Sequence, residues 1–168
     1  EVLGVIPFEE VLSHPTVLEL SDDLGGKLIC GYKGLRNVVE RFIIGDVVAH
    51  EILNYVGEGT LLITPGNRED ILFSALSGWV LGFTEKYHIA GIIATYGKKP
   101  ARKVIDIIER ANIPLIVVEG DSFSTAWKIS NMIFKLRAED KEKIQKTEML
   151  IEKYVDVERI FKAVKGGR

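Results

Sequence analysis

The chain has 168 residues, 46% of them hydrophobic, and a formal net charge of −2 from 22 basic and 24 acidic side chains. That balance suits a globular chain and lacks the overall basic field of a nucleic-acid binder; no apolar run reaches membrane-spanning length, and no signal-peptide pattern opens the chain, so the cytoplasm is the expected place. One cysteine, Cys30, excludes an internal disulfide, and His14, His50 and His88 lie too far apart in sequence for metal-ligand spacing.

The opening EVLGVIP reads as a short buried strand over Val2 to Ile6, stopped by Pro7. One helical turn is expected over Phe8 to Ser13. Thr16 then has the chemistry of an N-cap for VLELSDDL, with Val17, Leu20 and Leu24 on one face and Gly25-Gly26 as the stop. KLICG and VVERFIIGD are the next strand candidates, joined through Gly34 to Asn37. The spacing of Val48, Ile52 and Tyr55 predicts a helix over Val47 to Tyr55, ended by Gly57 and Gly59, with Asp46 as its cap.

The centre of the chain repeats one unit three times. TLLIT runs through a Pro-Gly turn into a helix expected from Asn67. IIAT ends in Tyr96-Gly97 and leads to a helix from about Ala101. PLIVVEG ends in Gly120-Asp121 and leads to a helix from Phe123 to Arg137. Strand, turn and helix in succession mean parallel strands with crossover helices, so the fold expected is a three-layer α/β/α domain with a mostly parallel sheet. In such a sheet ligands sit beyond the carboxyl ends of the strands, where the three turns converge.

Within these helices, Ile71, Leu72, Ala75, Leu76, Trp79, Val80 and Phe83 form one broad stripe, and Gly78 and Gly82 are four apart. This stripe from Ile71 to Phe83 and the charged helix from Asp140 to Val155 exceed what one small sheet needs, which predicts a homodimer. Val104, Ile107, Ile108 and Ala111 give the next helix a regular face. Beyond Ala138 the charge density rises, and Ile144, Thr147, Ile151 and Val155 mark one apolar edge of a peripheral helix. The expected division is a domain over 1–137 and a charged helical extension over 138–168.

Among the turn residues, Asn67 is a good helix N-cap. Arg68 is unusual in a first helical turn, because the positive end of the helix dipole disfavours cations. A bound anion would offset that cost, and so would a pair with Glu69, Asp70 or a carboxylate from another turn. Thr95 reads as a cap or a binding group. Asp121, Ser122, Ser124 and Thr125 supply caps, and their spare hydroxyls suit phosphate. Lys98 and Lys99 add charge at the same sheet end or form a solvated loop. Walker, nucleophile-elbow and dinucleotide fingerprints are all missing, and Cys30 reads as core.

In this order and spacing the motifs resemble the DRTGG domain family, named for an Asp-Arg pair and a later Thr-Gly-Gly. The first pair reads Asn67-Arg68 in PGNREDI, and the second reads Thr95-Tyr96-Gly97 in IIATYG. GDSFSTAWKI is similar to the family's following stretch, and KIQKTEMLIEKYVDVERIF to the helix after it in phosphotransacetylase-like members. VLGVIP looks like the strand that ends a preceding P-loop ATPase-like domain, which would assign 1–7 to that domain. The resemblance implies a fold like the N-terminal domain of HPr kinase, pairing into dimers, and a place beside ATPase-like, catalytic or CBS domains. It further implies a regulatory role, with adenine-nucleotide effectors in the setting of regulatory pyrophosphatases.

Two positions depart from the family pattern. Asn67 removes a carboxylate, and Tyr96 replaces a glycine, so the second turn must differ or be strained. The expected function is a non-catalytic regulatory and dimerisation module with no certain cofactor. Its ligand, if it senses one, is an adenine nucleotide. Alternatives are a nucleotide-binding sensor domain of a phosphotransacetylase-like or dethiobiotin-synthetase-like enzyme, and an acyl- or phosphoryl-transfer enzyme in its own right. The expected ligand-binding set is Gly66, Asn67, Arg68, Thr95, Tyr96, Gly97, Ser122, Ser124 and Thr125. No catalytic or metal residue, nucleic acid or membrane is expected.

Overall fold

A computed structural model describes residues 2–80, 89–134, 136–138 and 140–165. The chain forms two compact units, one of residues 15–132 and one of 1–14 with 133–168.

The larger unit is built on a five-stranded sheet in the order β1-β5-β4-β3-β2. Its strands are β1 (Lys27–Cys30), β2 (Arg41–Ile44), β3 (Thr60–Pro65), β4 (Gly91–Thr95) and β5 (Leu115–Val117). β2, β3, β4 and β5 run parallel, and β1 is antiparallel to β5 with a register shift between Leu28 and Cys30. β3 and β4 are buried almost along their whole length. TLLIT and GIIAT are therefore apolar on both sides, as a strand covered by helices on both faces must be.

Helices α2 (Glu69–Val80) and α3 (Arg102–Arg110) cover one face, where Leu62, Ile71, Leu72, Leu76, Ile92 and Ile108 form the main core. Helices α1 (Val17–Leu24) and α4 (Ser122–Ser130) belong to the opposite face, with Val17, Leu20, Leu61, Ile63, Ala126 and Ile129 buried. Complete burial of each large aliphatic side chain contributes about 1.5–3 kcal/mol. The result is the expected α/β/α sandwich with its mostly parallel sheet.

The α1 cap is a full capping box. The Thr16 hydroxyl accepts from the Glu19 N–H at 3.3 Å, and the Thr16 N–H donates to Glu19 Oε2 at 2.7 Å. Gly25 ends the helix at φ 62°, a conformation that costs glycine little.

Several local expectations are corrected. Val47 to Tyr55 is not an α-helix. The segment Ala49–Asn54 is a 3₁₀ helix, and Ile52 is buried while Val48 and Tyr55 are exposed. Asp46 caps nothing there, because the position before this helix is Val48. The strand in VVERFIIGD is confined to Arg41–Ile44. Val39 is buried without joining it, its N–H donating to the Pro15 carbonyl. α4 stops at Ser130 instead of running to Arg137. Asn131 turns its side-chain amide onto the Trp127 carbonyl at 2.8 Å, a local bond that competes with continued helix. Ile133, inside the span expected to be helical, is 87% exposed.

α2 begins at Glu69, not Asn67. The Arg68 carbonyl accepts from the Leu72 N–H at 3.1 Å, so Arg68 takes the cap position and Asn67 lies outside it. Ile71, Leu72, Ala75 and Leu76 of the broad stripe are spent inside the domain, leaving Phe73 and Val80 exposed on α2. Gly82 and Phe83 of that stripe, and His88, lie outside the described residues.

In the smaller unit the expected strand at Val2 to Ile6 is absent. Only Gly4 pairs, in an isolated antiparallel bridge to Val155, and Val2 and Val5 are exposed. Gly4 packs against the Tyr154 carbonyl so closely that a β-carbon would collide with it. The charged helix is α5 (Lys141–Tyr154), followed by a separate α6 (Val157–Lys165). Asp156 divides them, its carboxylate accepting from the Arg159 N–H at 3.0 Å. No helix among the described residues is long and apolar enough to cross a membrane.

Candidate functional site

The chain turns away from β2, β3 and β4 at their carboxyl ends, and the start of α4 lies beside them. These segments enclose a cleft of about 370 Å³ lined by Ile44, Gly45, Asp46, Pro65, Asn67, Arg68, Tyr96, Asp121, Ser122 and Phe123. The parallel register brings Pro65 level with Thr95, which sets the β3 and β4 turns side by side. This is the end of an open parallel sheet at which ligands collect.

Among the described residues Arg68 is the only arginine or lysine in the lining, but its fork is engaged. Nε donates to Asp70 Oδ1 and Nη2 to Asp70 Oδ2, both at 2.9 Å, and Nη2 also reaches the Val47 carbonyl at 3.2 Å. The hydrogen bonds hold the Asp70 carboxyl below its usual range and push the Arg68 guanidinium up. The helix-start arginine is thus balanced by a carboxylate two residues on. Asp46 and Asp121 add further acid to the lining. Asp121 caps α4, accepting from the Ser124 N–H at 2.8 Å, and that bond lowers its carboxyl below the usual range.

Tyr96 keeps the conformation of the turn that a glycine would normally fill, at φ 61°, and Gly97 follows at φ 61°. A non-glycine residue there costs about 1–2 kcal/mol, so the turn carries backbone strain. The Tyr96 side chain is 54% exposed at the cleft, and Phe123 across the start of α4 is 75% exposed. Gly66 is buried under the adjacent loop. Its α-carbon packs so closely on the Lys98 carbonyl that no β-carbon fits.

Of the expected ligand residues, Asn67, Arg68, Tyr96 and Ser122 meet in the cleft. Gly66, Thr95, Gly97, Ser124 and Thr125 do not line it. Thr95 is fully buried and shares a 2.8 Å hydrogen bond between its hydroxyl and that of Ser122, which positions Ser122 and caps nothing. Ser124 is used by the Asp121 cap, and Thr125 is buried in α4. Ile44, Gly45 and Pro65 also line the cleft, each at a strand end and none with a side chain that marks a ligand. Asp46 and Asp121 have the sequence signature of caps, and both line the cleft. Cys30 is buried, and burial pushes its thiol up to about 11, which suits a core residue and not a nucleophile. Among the described residues no group of three or more His, Cys, Asp or Glu could hold a metal ion.

Comparison with known proteins agrees with the motif reading. The family model described as the DRTGG domain matches residues 19–132. The chain is 30% identical over 155 residues to a phosphate acetyltransferase of Nitratidesulfovibrio vulgaris, covering 90% of this chain and 22% of the relative. It is 24% identical over 148 residues to a phosphate acetyltransferase of Pseudomonas putida, covering 86% and 21%. The chain therefore spans about a fifth of the length of these relatives. In fold it is similar to the crystal structure of the CBS and DRTGG domains of the regulatory region of Clostridium perfringens pyrophosphatase, complexed with its activator diadenosine tetraphosphate. The TM-score is 0.58 at 16% identity, over 76% of this chain and 52% of that one. The matched span 19–132 contains every turn that builds the cleft, and the chain belongs to the DRTGG domain family.

Proposed function

We propose that this DRTGG domain is a non-catalytic regulatory module of the cytoplasm that pairs with a second copy and takes an adenine nucleotide into the cleft. The observation that carries the reading is the cleft itself, at the carboxyl ends of three parallel strands with two exposed aromatic rings, Tyr96 and Phe123, on its wall. Stacking of a base on an aromatic ring contributes about 1–3 kcal/mol. Asp46 and Asp121 offer carboxylate acceptors to the amino and hydroxyl groups of a nucleoside. The lining suits the nucleoside half of a nucleotide better than its phosphates, since its arginine is already paired.

Two further observations support the reading. A regulatory region of similar fold crystallised with an adenine dinucleotide activator, and the relatives are enzymes about five times as long as the matched segment. In this reading the domain acts on ATPase-like or catalytic domains of a larger protein. Titration calorimetry with AMP, ADP, ATP and diadenosine tetraphosphate tests it. Binding that is lost in Tyr96→Ala is expected; no heat from any of the four with folded wild-type protein overturns it.

A further inference from the structure

The cleft and the charge at this end of the sheet do not coincide. Inside the cleft Arg68 is paired, and Asp46 and Asp121 make the lining acidic. Beside it, the loop from β4 to α3 and the first residues of α3 present Lys98, Lys99, Arg102 and Lys103, all exposed. The chain carries two more acidic than basic groups, so four cations within six residues are a local concentration against the overall sign. Arg102 is held by Asp106 at 2.9 Å, and Glu69 is occupied in accepting the Ala101 N–H at 2.8 Å. Glu119 lies against Gly97. Among the described residues Lys98, Lys99 and Lys103 have no carboxylate within ion-pair distance.

The packing joins this loop to the cleft. Gly66 lies between the cleft residues Pro65 and Asn67, and its α-carbon sits directly on the Lys98 carbonyl. Tyr96, on the cleft wall, is two residues before Lys98. A nucleoside stacked on Tyr96 thus has the backbone of the lysine loop as its neighbour, and lysine is the long, flexible cation that suits reaching from such a loop.

We infer that the Lys98-Lys99 loop, with Lys103, is a polyphosphate subsite that extends the cleft, so that the domain discriminates nucleotides by the length of their phosphate chain. The cleft takes the nucleoside, as the proposed function holds, and the lysines take the phosphates beyond the first. Lysine suits this role because an extended anion needs mobile point charges more than a rigid fork. The paired Arg68 contributes little to it.

The test is titration calorimetry of AMP, ADP, ATP and inorganic tripolyphosphate on the wild-type chain and on Lys98→Ala/Lys99→Ala, with circular dichroism confirming the fold of both. The wild type is expected to bind ATP about tenfold or more tighter than AMP, as added charge-assisted hydrogen bonds dictate, with the advantage shrinking as salt rises. In the double variant AMP affinity stays unchanged and ATP falls to the AMP level. Equal wild-type affinity for AMP and ATP, or a ratio that survives the double substitution, overturns the subsite while leaving nucleotide binding in the cleft intact. Tripolyphosphate binding that disappears in the double variant, with no nucleotide bound, keeps the subsite and sinks the nucleoside assignment. Silence from all four ligands removes both.

Discussion

Arg68 closes on Asp70 through two parallel hydrogen bonds of 2.9 Å each, from Nε to Oδ1 and from Nη2 to Oδ2. The residue that looks from the sequence like an anion clamp is, in the fold, one half of an ion pair that also ties the Val47 carbonyl to the start of α2. The pair is partly exposed, with side-chain accessibilities of 34% and 51%. Its contribution to stability is therefore at most about 1 kcal/mol. Arg68→Ala is expected to change ATP affinity less than about threefold, because a fork already bonded to Asp70 has little left to give. Asp70→Asn should release the guanidinium and tighten ATP binding. Calorimetry on both variants checks this, and a large loss in Arg68→Ala would show that the ligand displaces Asp70.

Acid should weaken the start of α4. The Ser124 N–H holds the Asp121 carboxyl below its usual range. A group depressed in the folded state contributes stability above its unfolded value and loses it as pH falls through the folded one. Thermal melts of the wild type and Asp121→Ala should therefore differ at neutral pH, with the variant melting lower, and converge under acid. A gap that persists below the carboxylate range counts against the cap as its source.

Gly66 and Tyr96 should differ in their response to substitution. Gly66→Ala drives a β-carbon into the Lys98 carbonyl, a backbone atom that cannot swing aside. Overpacking of this kind costs about 1–3 kcal/mol. Tyr96→Gly removes a strained positive φ, and the relief of about 1 kcal/mol is offset by the added freedom of the unfolded chain. Chemical denaturation should show a clear loss for the first and near neutrality for the second, while nucleotide binding falls in Tyr96→Gly with its ring.

Pairing of two copies is expected to involve α2, whose Phe73 and Val80 stay exposed although Ile71, Leu72, Ala75 and Leu76 are buried. Light scattering coupled to gel filtration should give a dimer at micromolar concentration, and Phe73→Asp should shift it to monomer. A wild-type monomer under the same conditions removes dimerisation from the proposed role.

The layered fold was legible because its signals are local. Three apolar runs each followed by a Pro or Gly turn and an amphipathic segment leave few arrangements other than parallel strands with crossover helices. The place of the cleft followed from the same pattern, since parallel strands bring their carboxyl ends together. Motif order was enough to single out the family.

What the residues contribute to that cleft was decided by packing over long sequence distances. Thr95 turns inward to Ser122, twenty-seven residues on, so a strand-end hydroxyl that reads as a ligand becomes a support. Gly66 is required by the Lys98 carbonyl, and Asp46 enters the lining from a different strand end than the turns it faces. Short elements were the least legible. The early stop of α4 at Asn131 turns on a side-chain hydrogen bond whose worth is near that of the helix propensity it opposes, and the six residues Ala49–Asn54 are too short a segment for periodicity to tell 3₁₀ from α. Periodicity sets which residues face inward, but the partner of each polar side chain depends on what the tertiary fold brings beside it.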